Sequence, residues 1–345
     1  MKQDKHESFA IAETVVDDFE EFRTDVLIGL SSSPKRLSSK YFYDKKGDEI
    51  FQRIMQCQEY YLTRCELEIF QNQTQKLATI ISSKNSGSFD LIELGVGDGV
   101  KSRFLLNELL QNQVNFNYLP IDISGNILSE LERNIADLDG LNINALQGEY
   151  LDMLKKASTI SSRRKVVLFL GSNIGNMTID EATLFCQKVR SILQPGDLFL
   201  IGFDLKKNPQ TILNAYNDRL GYTREFNKNL LRRINDELDA DFKMDDFMHY
   251  PTYDPHTGAC KSYLVSSRKQ TVRIGDCVIP FNEGEWIFTE ISQKYSLHEI
   301  KSLAANSGFS VVEELTDGKQ WFVDSIWSAS VPQVKPKASY DSNGV

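Results

Sequence analysis

Apolar and polar positions change rhythm twice along this chain. Between residues 89 and 204, short apolar runs alternate with stretches whose apolar positions recur every three or four residues. The runs predict strands over 89–94, 117–122, 142–147, 166–170 and 198–203. The stretches between them predict helices over 101–110, 125–138 and 179–193, the last stopped by Gln194-Pro195-Gly196. Apolar strands alternating with helices imply an α/β fold with a parallel sheet covered on both faces. Such a sheet binds ligands beyond the carboxyl ends of its strands.

Residues 208–247 then turn helical and polar. The stretch 249–279 reads as extended segments at 261–265 and 271–274, joined by turns such as Asp254-Pro255 and Thr257-Gly258. Near Tyr295 the alternation returns, with a helix over 297–307, Gly308 as its cap, and strands over 309–314 and 321–327. The stretch 208–292 therefore reads as an insertion before the last two strands of the sheet. Residues 332–345 are rich in Pro, Ser and Asn and are expected to form a flexible tail.

The first strand runs into Glu93-Leu94-Gly95-Val96-Gly97-Asp98-Gly99-Val100-Lys101. A dinucleotide loop requires G-x-G-x-x-G, and its third glycine position is here Val100. The G-x-G-x-G spacing fits the S-adenosylmethionine (SAM) loop of class I methyltransferases better. A plain βα turn of another α/β enzyme is the alternative.

Composition narrows the partners. The 345 residues are 41% hydrophobic and 25% charged, which leaves room for two domains. A net charge of -9 and only short basic runs argue against nucleic acid. The 5 Cys and 4 His show no C-x-x-C or H-x-H spacing, so neither a disulfide framework nor a metal is expected. No apolar run approaches the roughly 18 residues of a membrane span, and residues 1–20 do not read as a signal peptide. A cytoplasmic enzyme or binding protein, independent of membranes, is the expectation.

Polar residues at predicted strand ends supply candidate chemistry. Asp122 ends the second strand, where a carboxylate can accept both hydroxyls of a ribose or cap the next helix, a task Ser124 can also perform. Glu149 and Tyr150 follow the third strand and can meet an adenine, or belong to a solvated loop. Asn176, in Gly171-Ser172-Asn173-Ile174-Gly175-Asn176, can bind a substrate carboxylate or amine, or cap the helix that follows Thr178. Tyr41-Phe42-Tyr43 and Tyr60-Tyr61 are core aromatics or the walls of a pocket. In Thr289-Glu290-Ile291-Ser292 the acid and the hydroxyl face one side of an extended segment. They can grip an imidazole through both nitrogens, or belong to a surface strand.

Six segments occur in order: Pro34-Lys35 with Lys40-Tyr41-Phe42-Tyr43-Asp44, Glu59-Tyr60-Tyr61-Leu62-Thr63-Arg64, Glu93-Leu94-Gly95-Val96-Gly97, Leu170-Gly171-Ser172-Asn173-Ile174-Gly175-Asn176, Phe226-Asn227-Lys228-Asn229-Leu230 and Thr289-Glu290-Ile291-Ser292-Gln293-Lys294-Tyr295. Together they make the chain resemble the SAM-dependent histidine Nα-methyltransferase family of ergothioneine biosynthesis, over residues 30–327. That family moves three methyl groups from SAM to the α-amine of histidine, forming hercynine. The resemblance implies a class I methyltransferase sheet, Rossmann-like, with a second α+β substrate domain. Residues 1–63 with 206–293 would bind substrate, and 64–205 with 294–331 would form the methyltransferase domain. Gly95, Gly97, Lys101, Asp122, Glu149 and Tyr150 would contact SAM. Asn176 and Tyr216 would hold the amino acid moiety; Tyr60, Glu290 and Ser292 the imidazole. Tyr43 would line the pocket and, with Asn176, orient the amine. No metal is implied, and a monomer acting on free L-histidine is expected. Two positions depart from the family pattern: Glu149-Tyr150 stands where Asp followed by Phe is usual, and Ser262 where a Met often meets the substrate ring. Ser262 keeps a methyltransferase for tryptophan or tyrosine as an alternative. A non-catalytic SAM-binding protein is another.

Overall fold

Helix α1 (Glu7–Ser31) presents Phe22, Val26 and Leu30 at four-residue intervals to the interior. The computed structural model describes residues 7–82 and 87–329, so the expected tail at 332–345 lies outside the described residues. A two-residue strand β1 (Lys35–Arg36) leads into a 3-10 turn, Ser39–Phe42. Helix α2 (Lys45–Gln56) is capped by Asp44, whose carboxylate accepts the N–H of Gly47 at 2.6 Å. Helix α3 (Leu62–Ser82) buries Ile69, Phe70, Leu77, Ala78 and Ile81.

The alternation then begins: β2 (Phe89–Leu94), α4 (Val100–Gln111), β3 (Phe116–Asp122), α5 (Gly125–Asn134), β4 (Asn142–Ile143), β5 (Leu146–Gln147), α6 (Tyr150–Ile160), β6 (Arg164–Phe169), α7 (Ile179–Ile192) and β7 (Leu198–Asp204). The insertion supplies α8 (Pro209–Ala215), α9 (Tyr222–Leu238), β8 (Phe247–Tyr253), β9 (Ala259–Ser266), β10 (Gln270–Ile274), β11 (Cys277–Phe281) and β12 (Trp286–Gln293). Helix α10 (Leu297–Asn306) and strands β13 (Phe309–Thr316) and β14 (Phe322–Ala329) complete the described chain.

Eight strands form the main sheet, in the order β13-β14-β7-β6-β2-β3-β4, with β5 also paired to β3. The pairs among β2 to β7 are parallel, and β14 runs antiparallel between β7 and β13. Successive strand residues point to opposite faces. Leu91, Tyr118, Leu168 and Leu200 join α3 and α4 in one core. Ile92, Leu119, Val167 and Ile201 join α6, α7 and α10 in the other. Burial on both sides is what makes these strands read as continuous apolar runs.

Two expectations need correction. The third strand is interrupted into β4 and β5, and the residues after Gly148 are helix rather than loop. Glu149 occupies the N-cap of α6, which buries only Leu154 and Ala157 fully. So thin an apolar stripe leaves little periodicity to read.

A second sheet, β1-β12-β9-β8, packs with α1, α2, α9 and the β10–β11 hairpin around a third core. That core therefore draws on the N-terminal segment and on the insertion. Strand β12 belongs here, not to the main sheet. No helix among the described residues is long and apolar enough to cross a membrane.

Candidate active site

The glycine loop leaves β2 with Gly95, Gly97 and Gly99 at φ of 71°, 57° and 70°, a left-handed region costly for other residues. A Cβ on Gly95 would stand 2.6 Å from the Tyr150 hydroxyl and 3.1 Å from Asn173 Nδ2, so both side chains roof the loop. A Cβ on Gly97 would meet nothing within 4 Å. Beneath the loop, the buried Glu93 carboxyl accepts from Ser102 at 2.5 Å and Tyr118 at 2.6 Å. Burial pushes it up to about 7.

Asp122 lies across from Gly97. Its carboxylate accepts the N–H of Ser124 at 3.0 Å. Burial raises its pKa, while N–H groups of Ser124, Gly97 and Ile123 oppose that rise. Ser124 itself caps α5, taking the N–H of Ile127 at 3.3 Å, which leaves Asp122 free of the capping role. Glu149 is exposed at the start of α6. An open space above Gly97, a carboxylate with no cation partner among the described residues and a roof of Tyr150 fit the backbone, diol and ring of SAM.

Lys101, in the first turn of α4, is ion-paired with the buried Glu66 of α3. Glu66 also accepts the N–H of Gly171 at 2.8 and 3.0 Å. Asp324, fully buried on β14, has no hydrogen-bond donor among the described residues. Burial, and after it the Glu66 charge, raise the Asp324 pKa well above the carboxylate range, so the protonated acid can donate to Glu66. Glycine at 202, in register with Asp324, makes room: a Cβ there would stand 2.4 Å from Glu66 Oε1. Lys101 thus sits beside the loop with a neutralising partner already in place.

The other half of the site hangs from β12. Glu290 and Ser292 share a face, and their cross-strand partners on β9 are Ser262 and Cys260. The part-buried Glu290 carboxyl has no hydrogen-bond partner among the described residues. Burial pushes it up to about 7, against the pull of Lys294. Ser292 and Tyr216 hydroxyls are 2.6 Å apart. Tyr60 meets Tyr216 edge-on at 6.3 Å. Tyr43 meets Phe226 and Phe51 edge-on at 5.7 Å each. Tyr43 is 43% exposed, yet burial, with Glu290, Tyr60 and Tyr150 adding to it, holds its hydroxyl well above the usual phenol range. Both hold because the exposed area faces a cleft that these groups share. Asn176 is exposed and makes no side-chain hydrogen bond among the described residues. Thr178 caps α7 in a capping box with Glu181, so Asn176 has no part in that cap.

The motif around Phe226 braces this half. Asn229 donates to Asp44 at 2.9 Å, and Asn227 accepts from Thr289 at 2.7 Å. Thr289 lies in the β-bulge between Phe288 and Glu290, which turns the acid toward the cleft. Gly175 lets its 3-10 turn approach Gln293, whose carbonyl would be 3.1 Å from an added Cβ. A cavity of about 530 Å³ lies elsewhere, lined by Tyr61, Arg64, Glu68, Asn214, Lys319 and Trp321 among others. Of the aromatics expected as pocket walls only Tyr61 lines it, and no residue of the glycine loop or of β12 does.

A model of the family described as "Histidine-specific methyltransferase, SAM-dependent" matches residues 22–329. The chain belongs to that family. The histidine N-alpha-methyltransferase of Mycobacterium tuberculosis is 34% identical over 298 residues, 86% of this chain and 91% of its own. That of Mycolicibacterium smegmatis is 34% identical over 301 residues, 86% and 92% of the two chains. Ergothioneine biosynthesis protein 1 of Neurospora crassa is 31% identical over 300 residues, 84% of this chain and 32% of its own. This family member is therefore a SAM-dependent methyltransferase, an enzyme on a Rossmann-like class I sheet.

Several residues of this candidate site were given no role by the motif reading, although Asn173 and Lys294 stand inside its segments. Glu66 and Asp324 flank Lys101, Asn173 roofs Gly95, and Asp204 and Lys294 lie under Ser292. Carboxylates inside or ending otherwise apolar strands, as at Asp204 and Asp324, were the available signal.

The loop geometry carries a prediction. Gly95→Ala is expected to lower the melting temperature more than Gly97→Ala. Each pays the left-handed penalty of about 1–2 kcal/mol, but only the first pushes on Tyr150. Adding Tyr150→Phe should restore part of the loss. Thermal melts of the three variants check this; equal losses for the two glycines would refute it.

Proposed function

We propose that this enzyme methylates the α-amine of L-histidine three times, yielding hercynine. The observation that carries the reading is the pair Glu290 and Ser292 on one face of β12, with the acid unpartnered in the cleft. Family membership supports it, and two relatives named histidine N-alpha-methyltransferase share 34% of aligned residues with this chain.

Gly95, Gly97, Asp122, Glu149 and Tyr150 would hold the co-substrate, with Lys101 for its carboxylate. SAM supplies a methyl group already activated by its sulfonium. The protein's task is to present a neutral amine lone pair, and positioning provides most of the acceleration. Asn176 and Tyr43 orient that amine. Tyr43 and Tyr60, their hydroxyls held far above neutrality by burial, stay protonated and act as donors and walls. Glu290 accepts one imidazole N–H, which favours its ionised form. After the third methylation no lone pair remains, so the reaction stops. The two-domain division at 1–63 with 206–293 and 64–205 with 294–331, and a monomeric cytoplasmic enzyme, belong to the same proposal.

Incubation with SAM and a mixture of amino acids, read by mass spectrometry, tests it. Histidine should gain three methyls. Methylation of tryptophan or tyrosine instead, or of nothing, would overturn the reading.

A further inference from the structure

One buried cation in the site has no role in the chemistry above. Lys294 follows Ser292 by two residues and is wholly buried. Its Nζ donates to Asp204 at 2.7 Å, to the Tyr216 hydroxyl at 2.7 Å and to Ser292 Oγ at 2.8 Å. It also lies 4.6 Å from the centre of the Tyr216 ring. An ammonium has three donors and no acceptor, so every Lys294 proton is used inside the protein.

The 2.6 Å contact between Tyr216 and Ser292 needs one more proton. A phenol is more acidic than an alcohol, and Lys294 sits on both oxygens, so that difference between them stands. Tyr216 therefore donates and Ser292 accepts. A serine oxygen has two acceptor sites and one proton. Lys294 and Tyr216 fill both acceptor sites. Only the proton of Ser292 is left, and it has no acceptor among the described residues. Glu290, on the same face, is the complement: when ionised it can only accept.

We propose that Lys294 is a specificity-determining positioning residue that makes Ser292 a donor only, so that the site selects a neutral imidazole. Such a ring offers one N–H to Glu290 and one bare nitrogen to Ser292. An imidazolium carries two N–H groups, and the second would face the serine proton. The inference rests on histidine being the substrate.

The trimethylated product hercynine is the probe, because its amine no longer titrates. Its dissociation constant is measured calorimetrically, with S-adenosylhomocysteine present, at about pH 5.5 and about pH 7.5, either side of the imidazole pKa near 6.5. In the unaltered enzyme affinity should fall at least about tenfold at the lower pH, where the ring is about nine-tenths protonated. Lys294→Met and Tyr216→Phe each free one acceptor site on Ser292. Glu290, at about 7 in the empty site, adds its own fall in affinity on acidification, so each variant is read against the unaltered enzyme and its ratio should be at least about threefold smaller, since a protonated ring then finds an acceptor. Tyr216→Phe removes no charge, so it carries the test if Lys294→Met does not fold. A ratio unchanged in a folded variant, even with weaker binding at both pH values, would overturn the role given to Lys294. No binding by the unaltered enzyme at the higher pH would instead remove the histidine reading, and this inference with it.

Discussion

Glu290→Ala is expected to lower kcat/KM for L-histidine by roughly 10²–10³-fold, from the loss of a charge-assisted hydrogen bond and the stranding of a buried imidazole N–H, together about 3–4 kcal/mol. The carboxyl is the only acid on its face of β12, and it has no hydrogen-bond partner among the described residues. Nothing in the protein replaces it when it is removed. Because the lost contact lies on the ring and not at the amine, and the larger indole and phenol rings match the carboxyl poorly, the penalty should fall mainly on histidine. The preference for histidine over tryptophan and tyrosine should therefore narrow as histidine turnover falls. Steady-state kinetics on the three amino acids decide the matter. Histidine kinetics within about threefold of the unaltered enzyme, well short of one charged hydrogen bond, would sink the assignment of Glu290.

How much of this was legible in the chain depended on the range of the contact. Strands β2, β3, β6 and β7 were readable because burial on both faces makes each a local apolar run. The glycine loop was readable because its left-handed turns demand glycine locally. Helix α6 was not, for its buried stripe is two residues wide. The proton-sharing arrangement of Glu66 and Asp324 joins α3 to the last strand, and no window of sequence contains both. The same holds for Lys294 and Tyr216, which are 78 residues apart. Lys294 stood inside a recognised motif, yet its use became apparent only when Asp204, from the end of β7, was found on its third proton. Asn176 shows the converse. The motif marks it, and the structure removes the helix-cap alternative by giving that task to Thr178.

Asp204→Asn is expected to cost about 3–5 kcal/mol of stability, the penalty for leaving buried cations without their counter-charge. Asp204 is fully buried between Lys207 and Lys294 and accepts the Tyr61 hydroxyl at 2.9 and 3.0 Å. Asparagine keeps the shape and removes the charge. At about 2–4 °C per kcal/mol, melting should fall by roughly 6–20 °C near neutral pH. The pH dependence has a definite sign. Although burial alone would raise the Asp204 pKa, Lys294 and Lys207 outweigh it and hold the carboxyl below its ordinary value. The stabilisation is therefore fully present above the unfolded pKa near 3.9 and is lost as pH falls through the lower folded value. The gap between the two proteins should be flat above about pH 5 and close below about pH 4. Thermal melts across that range provide the check, and a gap that widened on acidification would contradict the assignment. The consequence reaches the substrate side as well. Asp204 anchors Lys294, and Lys294 holds Ser292 and Tyr216. Even at temperatures where Asp204→Asn remains folded, KM for histidine should rise more than kcat falls, because the disturbed groups bind substrate, Ser292 at the ring and Tyr216 at the amino acid moiety.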